Sequence, residues 1–238
     1  MRGAEKIPHR QGAKVALVLS VAVTAVLYFV PYGQYAAWPL LLLSTLAHEL
    51  GHGLTALVLG GNFEAFFLWA DGSGMARYTG AFGRFARAAV SAGGLVGPAV
   101  LAALLFLAGR RADWSRWALV ALGAGLALAE VLVVRNLFAW VFVGAVAGAL
   151  LGIGLKANGA AAQLATVFLA IQLSLSVFSS SDYLFTDTAR TAQGNVPSDV
   201  AQIAQELFAP YWFWGALIGV LSAAILCVGL WSFLRAQR

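Results

Sequence analysis

Cysteine, charge and histidine are all scarce in this chain. A single cysteine, Cys227, leaves no internal disulfide and no thiolate cage for a metal. Inside an apolar run it reads as a small buried or lipid-facing hydrophobe. Charged residues make up 11% of the 238 residues, against roughly a quarter in soluble globular proteins. Hydrophobic residues make up 61%, and the mean hydropathy is +0.82. So apolar a chain cannot cover a soluble core with a polar shell, which excludes a cytosolic enzyme. Disorder is excluded as well, because disordered chains are poor in hydrophobes and rich in charge. The net charge of +5 is scattered over loops and termini and forms no basic face, so nucleic acid is not an expected partner. Loop lysines and arginines meeting anionic headgroups of a lipid bilayer explain it better.

What is present is a series of apolar runs. A transmembrane helix needs about 20 apolar residues. The runs predict an all-α polytopic membrane protein, a single integral membrane domain over 1–238, with six or seven spans. They fall near 15–31, 37–59, 88–109, 117–134, 136–155, 160–180 and 210–234. The fourth and fifth are nearly continuous, broken by Glu130, Arg135 and Asn136. Glu130 and Arg135 are expected to pair or to snorkel to an interface, and Asn136 to hydrogen-bond between helices. The first run reads as a retained span rather than a cleaved signal, because no small-x-small cleavage site stands out before Pro31. Arg2, Lys6, Arg10 and Lys14 ahead of it favour a cytoplasmic N-terminus. Tryptophans such as Trp38, Trp114, Trp117, Trp212 and Trp214 stand near span ends, as interfacial anchors do.

Two linkers are polar enough to leave the lipid. The first, 60–87, holds an aromatic-rich stretch from Phe63 to Ala70 and then Asp71-Gly72-Ser73-Gly74. Asp-Gly between β-prone stretches signals a hairpin, expected to lie against the membrane or dip into it. The second, 181–206, concentrates Asp182, Asp187, Asp199 and Glu206 in an otherwise acid-poor chain. Neither linker is long enough for a soluble regulatory domain, which needs roughly 50 residues.

The chemistry-bearing motif is in the second span: Ala47-His48-Glu49-Leu50-Gly51-His52-Gly53. Histidines at i and i+4 share one helix face and can bind one Zn²⁺, while Glu49 is positioned to reach a water rather than the metal. Zinc brings the pKa of such a water to about 7, and the carboxylate can take its proton and pass it to a leaving amine. Two of the three histidines and a glutamate near the middle of an apolar span are costly unless paired or metal-bound. Two imidazoles and a water leave one tetrahedral position, for which a carboxylate is the available anionic ligand. The candidates are Asp199, Asp182, Asp187 and Glu130. Ser198-Asp199 also reads as a helix start, with Ser198 as N-cap.

These residues resemble the site-2 proteases, intramembrane zinc metallopeptidases, and most of all their short M50B-like branch. The resemblance rests on Ala47–Gly53, on Leu59-Gly60-Gly61 with the β-prone segment after it, and on Ser91-Ala92-Gly93-Gly94-Leu95-Val96-Gly97-Pro98. Arg135-Asn136 and Pro197-Ser198-Asp199 extend it over most of the chain. It implies a zinc metalloendopeptidase in which His48 and His52 hold the metal and Glu49 is the general base. It further implies a third ligand from an aspartate in an Asn-x-x-Pro…Leu-Asp-Gly motif. No Leu-Asp-Gly occurs here, and the nearest counterpart is Asn195-Val196-Pro197-Ser198-Asp199. By analogy with the family, the segment around Phe63–Leu68 would add a strand to an unwound membrane protein or peptide substrate. Substrate choice would then come from the membrane part of the chain or from an accessory membrane partner. The alternative is a catalytically inactive, protease-like binding or assembly module. A transporter is weaker, because one span holds nearly all the intramembrane polarity.

Overall fold

The computed structural model describes residues 9–179, 184–191 and 194–236. Arg2, Lys6 and the candidate ligand Asp182 lie outside the described residues. The chain forms a helical bundle with two small antiparallel hairpins. The long helices are α1 (His9–Phe29), α2 (Gly33–Val58), α3 (Arg84–Ala108), α4 (Ala112–Leu132), α5 (Leu137–Lys156), α6 (Gly159–Ser179) and α8 (Tyr211–Arg235). Between α6 and α8 comes the short α7 (Asp199–Leu207). Among the described residues, α3, α4, α5, α6 and α8 are long and apolar enough to cross a membrane. The apolar stretch of α1 is the shorter Ala13–Leu27. In α2, His48, Glu49 and His52 interrupt the hydrophobic run.

The helix α2 packs against α3 in the antiparallel sense through glycines. A Cβ on Gly51 would collide with the carbonyl oxygen of Gly93, and one on Gly97 would lie 3.2 Å from the Gly51 Cα. Small residues let two backbones approach where large ones would hold them apart. The main core gathers Ala47, Ala99, Ala102, Phe106, Val167 and Phe233 from α2, α3, α6 and α8.

The first hairpin pairs β1 (Asn62–Leu68) with β2 (Gly74–Thr79), as the Asp-Gly signal predicts. It runs back along α2 rather than away from it. Near its base, Gly61 N–H donates to Ala56 O at 2.9 Å. At its turn, Thr45 Oγ1 donates to Gly72 O at 2.7 Å and Trp38 Nε1 to Ala70 O at 3.0 Å. Trp38, expected as an interfacial anchor, therefore ties the hairpin turn to the helix. Phe66 and Leu68 are fully buried between Leu42 and Leu46 of α2 and Val143 of α5.

The edges of this hairpin require a correction. The segment Phe63–Leu68 has no edge left for a substrate strand, because β2 covers one side and the α4–α5 connection the other. Phe66 N–H donates to Val133 O (2.6 Å), and Arg135 N–H donates to Phe66 O (3.0 Å). Asn136 continues the pairing with its side chain, its Nδ2 donating to Leu68 O (2.6 Å) and its Oδ1 accepting from Leu68 N–H (3.2 Å). The open edge belongs to β2. Of the two expectations for Arg135, the ion pair with Glu130 does not form. Its guanidinium is taken by the carbonyls of Leu132, Val134 and Glu64. Helix C-termini leave such carbonyls unpaired, and these acceptors lie closer than the carboxylate.

The second hairpin, β3 (Thr188–Thr191) with β4 (Gly194–Pro197), has no counterpart in the sequence reading. It delivers the chain to α7, whose Val200 and Ile203 pack on Ala88 and Leu95 of α3 and Ile218 of α8.

The α2–α3 contact is testable. Gly51→Ala is expected to cost about 1–3 kcal/mol through overpacking. Gly148→Ala on α5, where a Cβ meets nothing within 4 Å, should be neutral or stabilising by up to about 1 kcal/mol. Thermal unfolding of both variants in one detergent checks the contrast, and equal shifts would contradict it.

Candidate metal centre

One turn of α2 places His48 and His52 on the same face, their ring centroids 4.7 Å apart and their planes at 90°. The two Nε2 atoms are 3.1 Å apart. Asp199 reaches both from the opposite side, with Oδ2 3.0 Å from His48 Nε2 and Oδ1 3.4 Å from His52 Nε2. His52 and Asp199 are buried and His48 is partly so. These three residues form a group whose ligand atoms all lie within 4.8 Å of one another.

His52 and Asp199 are aimed by their surroundings. His52 Nδ1 lies 2.8 Å from the carbonyl oxygen of Val90 on α3. A nitrogen facing a carbonyl must carry the proton, which leaves Nε2, turned towards the cluster, as the atom that would take an ion. A Cβ on Gly94 would collide with the His52 ring, so the glycine is what admits the imidazole between the helices. Asp199 is the first residue of α7. Ser198 caps that helix, its Oγ accepting from Ala201 N–H at 3.2 Å and donating to Thr186 O at 2.6 Å. The helix-start reading is thus correct for Ser198, while the Asp199 carboxylate turns towards the histidines. Burial alone would raise the Asp199 carboxyl, but the adjoining His52 and His48 rings hold it below the usual carboxylate range.

The far end of α7 is clamped to α3. Arg87 forms a bidentate pair with Glu206, Nε to Oε1 at 2.6 Å and Nη2 to Oε2 at 2.7 Å. Arg84 donates to the Glu206 carbonyl and stacks 3.8 Å over the Phe208 ring. Glu206 is the second linker's other notable acid, and its role is to hold the helix that carries Asp199. The first turns of α3 therefore orient His52 through Val90 and α7 through Arg84 and Arg87.

The other candidates stand elsewhere. Asp187 is exposed. Its backbone oxygen accepts from Ser198 N–H (2.9 Å), and its carboxylate accepts from Thr188 Oγ1 (3.1 Å). Glu130 packs its carboxylate against Gly144 of α5. Glu49 does not join the three-residue group. Its Oε2 accepts from Ala76 N–H of β2 at 2.7 Å. His48 and Glu49 stand between two cavities. One of about 270 Å³ is bounded by Ser44, Leu95, Pro98, Val177 and Ile218. The other, of about 170 Å³, is bounded by Ala76, Tyr78, Pro197 and Gln202.

The donor set fits a zinc-type ion. A tetrahedral ion with bonds of about 2.0–2.1 Å holds its ligand atoms roughly 3.3 Å apart; here the two Nε2 atoms are 3.1 Å apart, one Asp199 oxygen is 3.0 Å from His48 Nε2, and the other is 3.4 Å from His52 Nε2. Two imidazoles and one carboxylate, with a second shell around His52, leave one tetrahedral position open. Val90, Ala76 and the Arg87–Glu206 pair were not foreseen from sequence. Two of these act through the backbone, and the third joins residues 119 positions apart.

In comparisons with known proteins, a family model described as Peptidase M50B-like matches residues 18–229. No curated protein and no solved structure matches the chain.

The ligand set predicts a pattern of metal content. Detergent-purified wild type should carry about one zinc per chain, and His48→Ala, His52→Ala and Asp199→Ala should each lose most of it. Asp187→Asn and Glu130→Gln should keep it. Elemental analysis reads all five, and full zinc in Asp199→Ala would remove that residue from the set.

Proposed function

The chain belongs to the M50B-like peptidases, and on that premise we propose that it is a zinc-dependent intramembrane endopeptidase, cutting a peptide bond within or beside the bilayer. The observation that carries this is the His48–His52–Asp199 group with a separate carboxylate, Glu49, beside it on the same helix turn. A metal-storage or purely structural site has no need of that carboxylate.

In this reading His48 Nε2, His52 Nε2 and Asp199 hold the ion. Bound there, zinc would supply Lewis-acid chemistry, acidifying a water and polarising the scissile carbonyl. The chain's own residues do the rest. Glu49 takes a proton on its carboxylate and returns it to the departing amine. The Val90 carbonyl keeps the His52 proton on Nδ1, so the metal-facing nitrogen stays basic.

Substrate is held by β2. A transmembrane helix must give up its own hydrogen bonds before it can be cut, and in lipid the freed groups need partners. Backbone groups alternate along a strand, so Gly74, Ala76 and Tyr78 share the edge that faces away from β1. That edge borders the cavity reaching His48, Glu49 and Asp199. Strand addition there matches the extended conformation that peptidases require and supplies main-chain affinity.

Glu49→Gln tests the enzyme directly. It should keep zinc yet lower the cleavage rate of a reconstituted single-span peptide at least about 100-fold, the scale of lost general acid–base catalysis. Undiminished cleavage would rule out Glu49 as the base. Wild type that holds zinc but cleaves no membrane peptide would favour the inactive binding module.

A further inference from the structure

The hydrogen bond between Glu49 and β2 joins two parts of the machinery that the reaction needs separately. Ala76 N–H points off the open edge of β2, because its cross-strand partner Phe66 turns its own groups outward to Val133 and Arg135. This donor lies where an added strand would bond. Here it is engaged by Glu49 Oε2 at 2.7 Å. Gly74, two residues earlier on the same edge, makes room for the contact. A Cβ there would lie 2.7 Å from Glu49 Cγ and 2.6 Å from Thr45 Cγ2.

We infer that Glu49 and the substrate backbone compete for Ala76 N–H, so that substrate strand addition releases the general base. Without substrate, the carboxylate is tied to the strand edge, its charge stabilised by a backbone donor. An incoming extended segment offers a carbonyl to the same N–H. Pairing displaces Glu49 Oε2, and the carboxylate swings from the edge towards the His48 side of the site. The base becomes free when a peptide is aligned and not before. Stray hydrolysis is limited, and the enzyme selects segments that can pair as strands over those that merely diffuse into the cavity. This rests on the peptidase reading and adds to it a coupling between recognition and proton transfer.

Binding measurements separate the two. The probe is a dye-labelled, β-prone peptide of alternating valine and threonine whose central carbonyl is replaced by methylene, so that it cannot be cut. It is titrated into the full-length, zinc-loaded protein in detergent. Removing the competitor by Glu49→Ala should tighten binding about tenfold or more, the scale of a hydrogen bond to a charged group. Glu49→Gln, which retains a weaker acceptor, should tighten it less. In the Glu49→Ala background, where the peptide holds the donor alone, Ala76→Pro removes that donor on the side of the strand that Pro tolerates and should undo the gain. Gly74→Ala, which pushes Glu49 off the edge while keeping its carboxylate, should act in the direction of Glu49→Ala. If Ala76→Pro weakens binding but Glu49→Ala and Gly74→Ala do not tighten it, the competition is refuted and strand addition at β2 survives. If Ala76→Pro changes nothing in the Glu49→Ala background while zinc content and unfolding temperature are kept, the peptide does not use this edge. Strand addition and the coupling then fall together, and the metal centre stands.

Discussion

The backbones of α2 and α3 touch at Gly51, Gly93, Gly94 and Gly97, and the geometry of the metal cluster follows from that contact. Side chains of ordinary size would hold the helices 8–10 Å apart. At glycine distance the Val90 carbonyl comes within reach of His52 Nδ1, and the ring slides over Gly94. A single helix can put two imidazoles on one face, but it cannot choose their tautomers. The neighbouring backbone does that. The same first turns of α3 carry Arg84 and Arg87, which hold α7 and its Asp199. One close-packed helix pair thus settles the direction of His52 and of the helix that carries Asp199. The arrangement also suits a bilayer, where polar groups must be paired within the protein because no water stands by to satisfy them.

The legible part of this molecule is the part encoded locally. The apolar runs mark the long helices because about 20 residues of lipid-compatible side chains leave an unmistakable trace. His48, Glu49 and His52 could be read because one helical turn contains the whole relation. Asp71-Gly72 announced the first hairpin for the same reason. Asp199 was the leading candidate for the third ligand only through Asn195–Asp199, a weak counterpart of a motif that is otherwise missing. Its approach to the histidines depends on Arg87 meeting Glu206 across 119 positions of sequence. The strands β3 and β4 have four residues each, too short for alternation to show. Trp38 and Asn136 were assigned to membrane anchoring and helix pairing by type, whereas their partners are backbone atoms of the hairpin. Backbone partners have no signature in a single sequence.

The elements that carry the candidate metal centre are anchored in different ways. The pair α2 and α3 is a packed core. The short α7, reached through a small hairpin, is held at one end by its cap and at the other by an ion pair whose arginine is half exposed. Such a pair contributes modestly to overall stability, but its bidentate form fixes direction well. An aspartate carried on a separate short helix can be brought up to two histidines after the bundle has formed. The bundle itself therefore does not need to bury a complete, charged site in one step.

Closure of the β1 edge by Val133–Asn136 has a consequence beyond catalysis. A two-stranded hairpin with both edges bare is a template for endless pairing, each molecule recruiting the next on either side. Here the α4–α5 connection and the Asn136 amide occupy one side permanently. A ladder through this hairpin needs two open sides per molecule to grow, and the hairpin offers one. Hairpins crowded in a membrane can meet in pairs but cannot polymerise, so the protein keeps a sticky edge without becoming the seed of a fibre.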